Sequence, residues 1–117
     1  MTQTPNNELL PLEIDVESVQ QLLDEESDFL LLDCREPDEH NFCNIEQAKL
    51  IPMNETPTRI NELEPNRNSR IVVHCHHGGR SFQVVQWLRS QGFPGAQNMA
   101  GGIDAWSQLV DPQIPRY

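Results

Sequence analysis

One stretch gathers a nucleophile, two imidazoles, a glycine pair and a guanidinium: His74-Cys75-His76-His77-Gly78-Gly79-Arg80-Ser81, directly after the apolar run Ile71-Val72-Val73. The order places a cysteine where a strand ends, glycines where a tight loop turns, and Arg80-Ser81 where a helix begins. A loop leading into a helix N-terminus presents free backbone N–H groups, and the helix dipole adds partial positive charge to them. A thiol in such a cradle, with Arg80 nearby and His76 and His77 beside it, ionises below the value of about 8.5 of free cysteine. The expected chemistry is therefore nucleophilic attack by a Cys75 thiolate on an anionic substrate. His76, His77, Gly78, Gly79, Arg80 and Ser81 are the expected substrate-binding residues.

The spacing separates two chemistries. Four residues lie between Cys75 and Arg80, one fewer than in the similar cradle of cysteine-dependent phosphatases. A smaller ring of amides holds a sulfur atom bearing a second sulfur better than a phosphoryl group with its attacking sulfur. Sulfur transfer is thus favoured over a phosphatase or arsenate reductase.

Two further motifs accompany the loop. With Asp33-Cys34-Arg35-Glu36-Pro37-Asp38-Glu39 before it and Asn98-Met99-Ala100-Gly101-Gly102-Ile103-Asp104-Ala105-Trp106 after it, the chain resembles the rhodanese-like sulfurtransferases over nearly its whole length. The resemblance implies an α/β, three-layer fold with a mainly parallel sheet of about five strands and helices on both faces. It implies that Cys75 takes sulfane sulfur from thiosulfate or a persulfide donor and passes it, as a cysteine persulfide, to a thiophilic acceptor. It implies that the loop amides and Arg80 stabilise the bound sulfur, and that no cofactor takes part. The chain departs from the family where Gly-His-Ile and Gly-Ala are usual, showing Cys43-Asn44-Ile45 and Gln47-Ala48. Rhodanese-like folds also occur as noncatalytic binding or redox-sensing modules, which is the alternative reading. The tail Val110-Asp111-Pro112-Gln113-Ile114-Pro115-Arg116-Tyr117 resembles the end of rhodanese domains fused to adenylating enzymes that activate sulfur carriers, implying a thiol or sulfur-carrier protein as acceptor.

Asp33 and Arg35 are expected to support the loop as a strand-end ion pair rather than touch substrate. Cys34 and Cys43 are expected to be structural thiols, with resolution of a persulfide as the alternative. His74, His76, His77 and Cys75 contain metal-binding residue types, but neighbours on a strand and tight loop cannot readily aim four ligands at one tetrahedral centre, so no metal is expected.

The elements that must position these groups alternate along the chain, which argues for a parallel sheet covered on both faces. Expected strands are 13–14, 29–34, 49–51, 70–74 and 96–99. Asp15 caps a helix whose Val16, Val19, Leu22 and Leu23 share one side. Pro57 opens a small helix through Ile60 and Leu63. A helix over about 80–91 turns Ser81, Val84, Val85 and Leu88 to the sheet, Gly92 ends it, and Ile103, Trp106 and Leu109 form a last packed face. Ligands on such sheets bind at the carboxyl ends of the strands, where Cys75 and Asp33 both fall.

Length and charge narrow the rest. A chain of 117 residues builds a single core without disulfides, so one domain over 1–117 is expected, with 1–7 and 111–117 as extended tails. The net charge of −10, from 18 acids against 8 bases, excludes a nucleic-acid partner, since phosphate backbones need basic surfaces. The longest apolar run, Phe29 to Leu32, is far short of a membrane span. No basic-then-apolar leader opens the sequence and the cysteines are odd in number, so a reducing, cytoplasmic setting is expected.

Overall fold

The computed structural model describes residues 10–117. Five strands form one sheet in the order β1-β5-β4-β2-β3, every neighbouring pair parallel. They are β1 (Glu13–Ile14), β2 (Phe29–Asp33), β3 (Lys49–Leu50), β4 (Arg70–His74) and β5 (Ala96–Met99). Four α-helices connect them: α1 (Val16–Asp24), α2 (Pro37–Phe42), α3 (Gly79–Ser90) and α4 (Gly102–Leu109). The expected α/β architecture and strand positions are present.

Side-chain alternation along the central strands builds two apolar layers. Leu32 and Val73 face Leu63, Val84, Val85, Leu88 and Phe93 on one side of the sheet. Leu31 and Val72 face Val16, Val19, Ile103 and Trp106 on the other. Trp106 is a core anchor, as expected. Asp15 accepts a hydrogen bond from the Ser18 amide at 2.7 Å, capping α1.

Three local expectations are corrected. The segment after Pro57 is not an α-helix: 3₁₀ segments occupy Met53–Glu55 and Ile60–Asn66, with Pro57 in the turn between and Pro65 inside the second. A proline that cannot donate to the helical ladder favours such short 3₁₀ pieces. Leu109, expected on the packed face of α4, is 62% exposed because the helix ends there. The C-terminal residues are not simply extended. They turn at Pro112-Gln113, fixed by an Ile114 amide to Asp111 carbonyl bond of 3.1 Å, and return to the carboxyl end of the sheet. The expected tail at 1–7 lies outside the described residues. Among the described residues, no helix is long and apolar enough to cross a membrane.

Candidate active site

β4 delivers Cys75 to the carboxyl end of the sheet, and the next four residues turn into α3. Gly78 makes that turn possible: as the residue before the helix it adopts φ 112°, a left-handed conformation open to glycine. The turn folds the chain back on the sulfur. The Gly78 amide donates to Cys75 Sγ at 3.1 Å and the Ser81 amide at 3.4 Å, with the Ser81 hydroxyl at 3.3 Å. The cradle expected from the sequence is thus formed by Gly78 and Ser81, at the amino end of a twelve-residue helix.

The opposite edge of the loop is pinned by α4. Ile103 N–H donates to the Cys75 carbonyl at 2.9 Å and Asp104 N–H to the His76 carbonyl at 3.1 Å. Gly102 allows this approach, since a Cβ there would lie 2.3 Å from the His76 carbonyl oxygen and 2.7 Å from that of Cys75.

Cys34 adds a thiol absent from the expected set. It lies in the same buried layer as Cys75, and its influence is the largest of those lowering the Cys75 pKa. Burial opposes it, while the Ser81 hydroxyl and the Ser81 and Gly78 amides reinforce it, leaving Cys75 at about 4. The neighbouring Cys75, aided by burial, pushes the Cys34 thiol up. The two thiols are thus shifted in opposite directions, Cys75 down and Cys34 up.

Asn98 sets the Ser81 hydroxyl. Its side-chain amide donates to Glu13 Oε2 at 2.9 Å and to the Gly78 carbonyl at 3.2 Å, which leaves its oxygen facing Ser81 Oγ. That hydroxyl has one hydrogen for two acceptors, Asn98 and Cys75, and a charged sulfur makes the stronger claim on it.

Arg80, expected to bind substrate, is paired with an acid of α2. Its guanidinium is held end-on by Glu39, Nη1 to Oε1 at 2.8 Å and Nη2 to Oε2 at 2.9 Å. It acts on Cys75 through space, and no hydrogen bond joins them among the described residues. The Arg80 bond is the main cause holding Glu39 at about 2, against partial burial. His76 and His77 also point elsewhere: the His76 ring stacks on Tyr117 at 3.9 Å and 6°, and His77 lies 3.7 Å from Asp104. Neither imidazole hydrogen-bonds the sulfur.

Asp33 and Arg35 form a fully buried pair, Nη2 to Oδ2 at 2.7 Å and Nε to Oδ1 at 2.9 Å. Burial alone raises the Asp33 pKa, but Arg35, His74 and His40 outweigh it and hold Asp33 at about 2. Arg35 also donates to the Cys43 carbonyl at 2.7 Å and to Tyr117 Oη at 2.9 Å. Tyr117 in turn donates to Glu39 Oε2 at 2.9 Å. One arginine thereby ties the end of β2, the end of α2 and the C-terminal segment together. Cys43 is buried with its carbonyl in this network, and its sulfur is 4.0 Å from Arg35 Nη1.

His76, His77 and Asp104 are a possible cation cluster, their ligand atoms lying within 4.8 Å of one another. The Asp104 carboxylate is already held by Arg116 at 2.8 Å and Gln108 at 2.9 Å.

The rhodanese-like domain profile matches residues 15–109. The chain belongs to the rhodanese-like domain family. It is 40% identical over 91 residues to the rhodanese-like/PpiC domain-containing protein 12, chloroplastic, of Arabidopsis thaliana, covering 74% of this chain and 30% of that protein. A sulfurtransferase of Allochromatium vinosum is 38% identical over 96 residues, 82% of this chain and 88% of its own. The adenylyltransferase and sulfurtransferase MOCS3 of Arabidopsis thaliana is 30% identical over 125 residues, 93% of this chain and 27% of its own. Among solved structures, a rhodanese-like domain protein from Staphylococcus aureus superposes with a TM-score of 0.77 at 30% identity, covering 92% of this chain and 99% of that one. The chain thus spans about a third or less of the two Arabidopsis relatives and most of the other two proteins.

Glu39, Asn98 and the Cys34 thiol lie against the loop in ways that the sequence does not reveal. All three stand inside the motifs that mark the site, but their partners lie on other elements.

Proposed function

We propose that this rhodanese-like chain is a sulfurtransferase that works through a persulfide on Cys75. The observation that carries the reading is the Cys75 sulfur itself. It sits at a helix N-terminus with the Gly78 and Ser81 amides donating to it at 3.1 and 3.4 Å, which favours its thiolate form, in a loop with four residues before Arg80.

The thiolate attacks the outer sulfur of an anionic donor such as thiosulfate. A bond forms between Cys75 Sγ and that sulfur as the donor's own sulfur–sulfur bond breaks, and sulfite leaves with the electron pair. The persulfide sulfur, negatively charged in its turn, takes the place of the thiolate before the loop amides and the positive end of α3. An acceptor thiolate or cyanide then attacks this outer sulfur, and Cys75 leaves as the thiolate. Because its pKa is held low, Cys75 is both ionised at neutral pH and a good leaving group. The compact loop favours this chemistry over phosphate ester hydrolysis, and relatives named as sulfurtransferases support it. A thiol or sulfur-carrier protein is the proposed acceptor.

Thiocyanate formation from thiosulfate and cyanide tests the reading. Cys75→Ser should abolish it with the circular dichroism spectrum unchanged. Retained turnover in that variant, or faster hydrolysis of an aryl phosphate than sulfur transfer by the native protein, would overturn it.

A further inference from the structure

Two buried thiols meet at the carboxyl ends of adjacent central strands. β2 and β4 pair in parallel with Leu32 opposite Val73 and Asp33 opposite His74, and the ladder continues one step with the Cys34 amide donating to the His74 carbonyl at 3.0 Å. The next position sets Cys34 opposite Cys75. Both side chains lie on the same face, in the apolar layer with Leu32 and Val73, and they are 0% and 1% exposed. Neighbouring strands run about 4.8 Å apart, inside the window of about 4.4–6.8 Å between Cα atoms that a disulfide spans. The two thiols therefore share one buried corner at the carboxyl ends of β2 and β4.

The two sides of that sulfur differ. The loop amides of Gly78 and Ser81 approach from α3 and its preceding turn, whereas Cys34 approaches from β2. A sulfur atom added to Cys75 is drawn to the amides, which leaves the bond between the two sulfurs pointing away from Cys34. That is the alignment needed for displacement at the inner sulfur.

We propose that Cys34 is a resolving thiol for Cys75, attacking the sulfur-loaded cysteine from the β2 side, closing a Cys34–Cys75 disulfide and expelling the outer group as an anion. This inference rests on the persulfide reading above for its natural leaving group, hydrosulfide. The balance is closed without an added oxidant. The Cys34 sulfur forms a bond to Cys75 Sγ, the bond from Cys75 Sγ to the anionic sulfane sulfur breaks, and that sulfur leaves with the electron pair and with the proton given up by Cys34, as hydrosulfide. The sulfane sulfur is thereby reduced to sulfide as the two cysteines are oxidised to the disulfide. A loaded protein that meets no acceptor would discharge itself and stop in a closed state, and an external dithiol would reopen it by thiol–disulfide exchange.

The test is made on the whole chain in the absence of oxygen, with thiosulfate present and no acceptor. The native protein should release hydrosulfide, become two hydrogens lighter, yield a Cys34–Cys75 cross-linked peptide, and regain activity with dithiothreitol. Cys34→Ser, or Cys34→Val should the serine variant not fold, should instead keep one added sulfur and release hydrosulfide at least about tenfold more slowly. A native protein that retains its added sulfur as long as the variant does, with no cross-linked peptide, overturns the proposal.

If neither protein gains sulfur, the persulfide reading fails, and the pair is judged separately with an aromatic disulfide as the probe. Cys75 then takes one arylthiol, and resolution by Cys34 releases a second arylthiolate and leaves the same cross-linked peptide. Arrest of the native protein at the mixed disulfide overturns the role of Cys34 in that case too.

Discussion

Glu39 grips both terminal nitrogens of Arg80 across 41 residues of sequence, at 2.8 and 2.9 Å. The guanidinium beside the active loop is thus oriented by α2 rather than by the sulfur, and part of its charge is neutralised at rest. Since Glu39 is held at about 2, it stays ionised throughout the neutral range.

The pairing makes a prediction about donor affinity. Glu39→Gln keeps the shape and removes the negative charge, leaving Arg80 uncompensated. The KM for thiosulfate should fall about three- to tenfold, as expected for removal of one nearby like charge in a partly exposed site. Arg80→Ala should move it the other way by a similar factor. Steady-state kinetics in low salt check both, and a KM that rises in the glutamine variant would show that Glu39 serves only to place Arg80.

The titration of Cys75 separates the contributions to thiolate stability. Thiolate absorption, taken as native protein minus Cys75→Ser, should persist to a midpoint near 4, where free cysteine titrates at about 8.5. Ser81→Ala removes one hydrogen bond to a charged sulfur, a loss of about 1.5–3 kcal/mol, and should raise the midpoint by about one to two pH units. Arg80→Ala should raise it less, because Arg80 acts through space and is paired with Glu39. A larger shift from Arg80 than from Ser81 would contradict this ordering.

Asp33 governs a limb of acid stability. It is held at about 2 against about 3.9 in an unfolded chain. Its contribution is therefore complete above pH about 4 and disappears as the pH falls toward 2. Asp33→Asn should cost about 3–5 kcal/mol at pH 7, because Arg35 would remain buried without its counter-charge. The variant should also lose the steepest part of that acid limb. Urea unfolding at pH 7, 4 and 3 measures both, and equal stability losses at all three values would exclude the linkage.

What is local in this protein is legible in its amino-acid sequence. Strand-length apolar runs, the Gly78-Gly79 turn, the caps and the helical spacing of Ser81, Val84, Val85 and Leu88 specify conformations through neighbouring residues, and β4, the loop and α3 form where those signals place them. The motifs also mark Cys75, and the cradle of amides around it follows from the turn. What each of these groups meets is settled by packing. Strand register sets Cys34 beside Cys75, helix docking brings Glu39 to Arg80, β5 presents Asn98 to Ser81, and the returning C-terminal segment lays Tyr117 on His76. Such contacts depend on register and docking between distant segments, which no local propensity encodes. That is why the sequence marks Arg80 and His76 but not Glu39 and Tyr117 as the side chains that meet them.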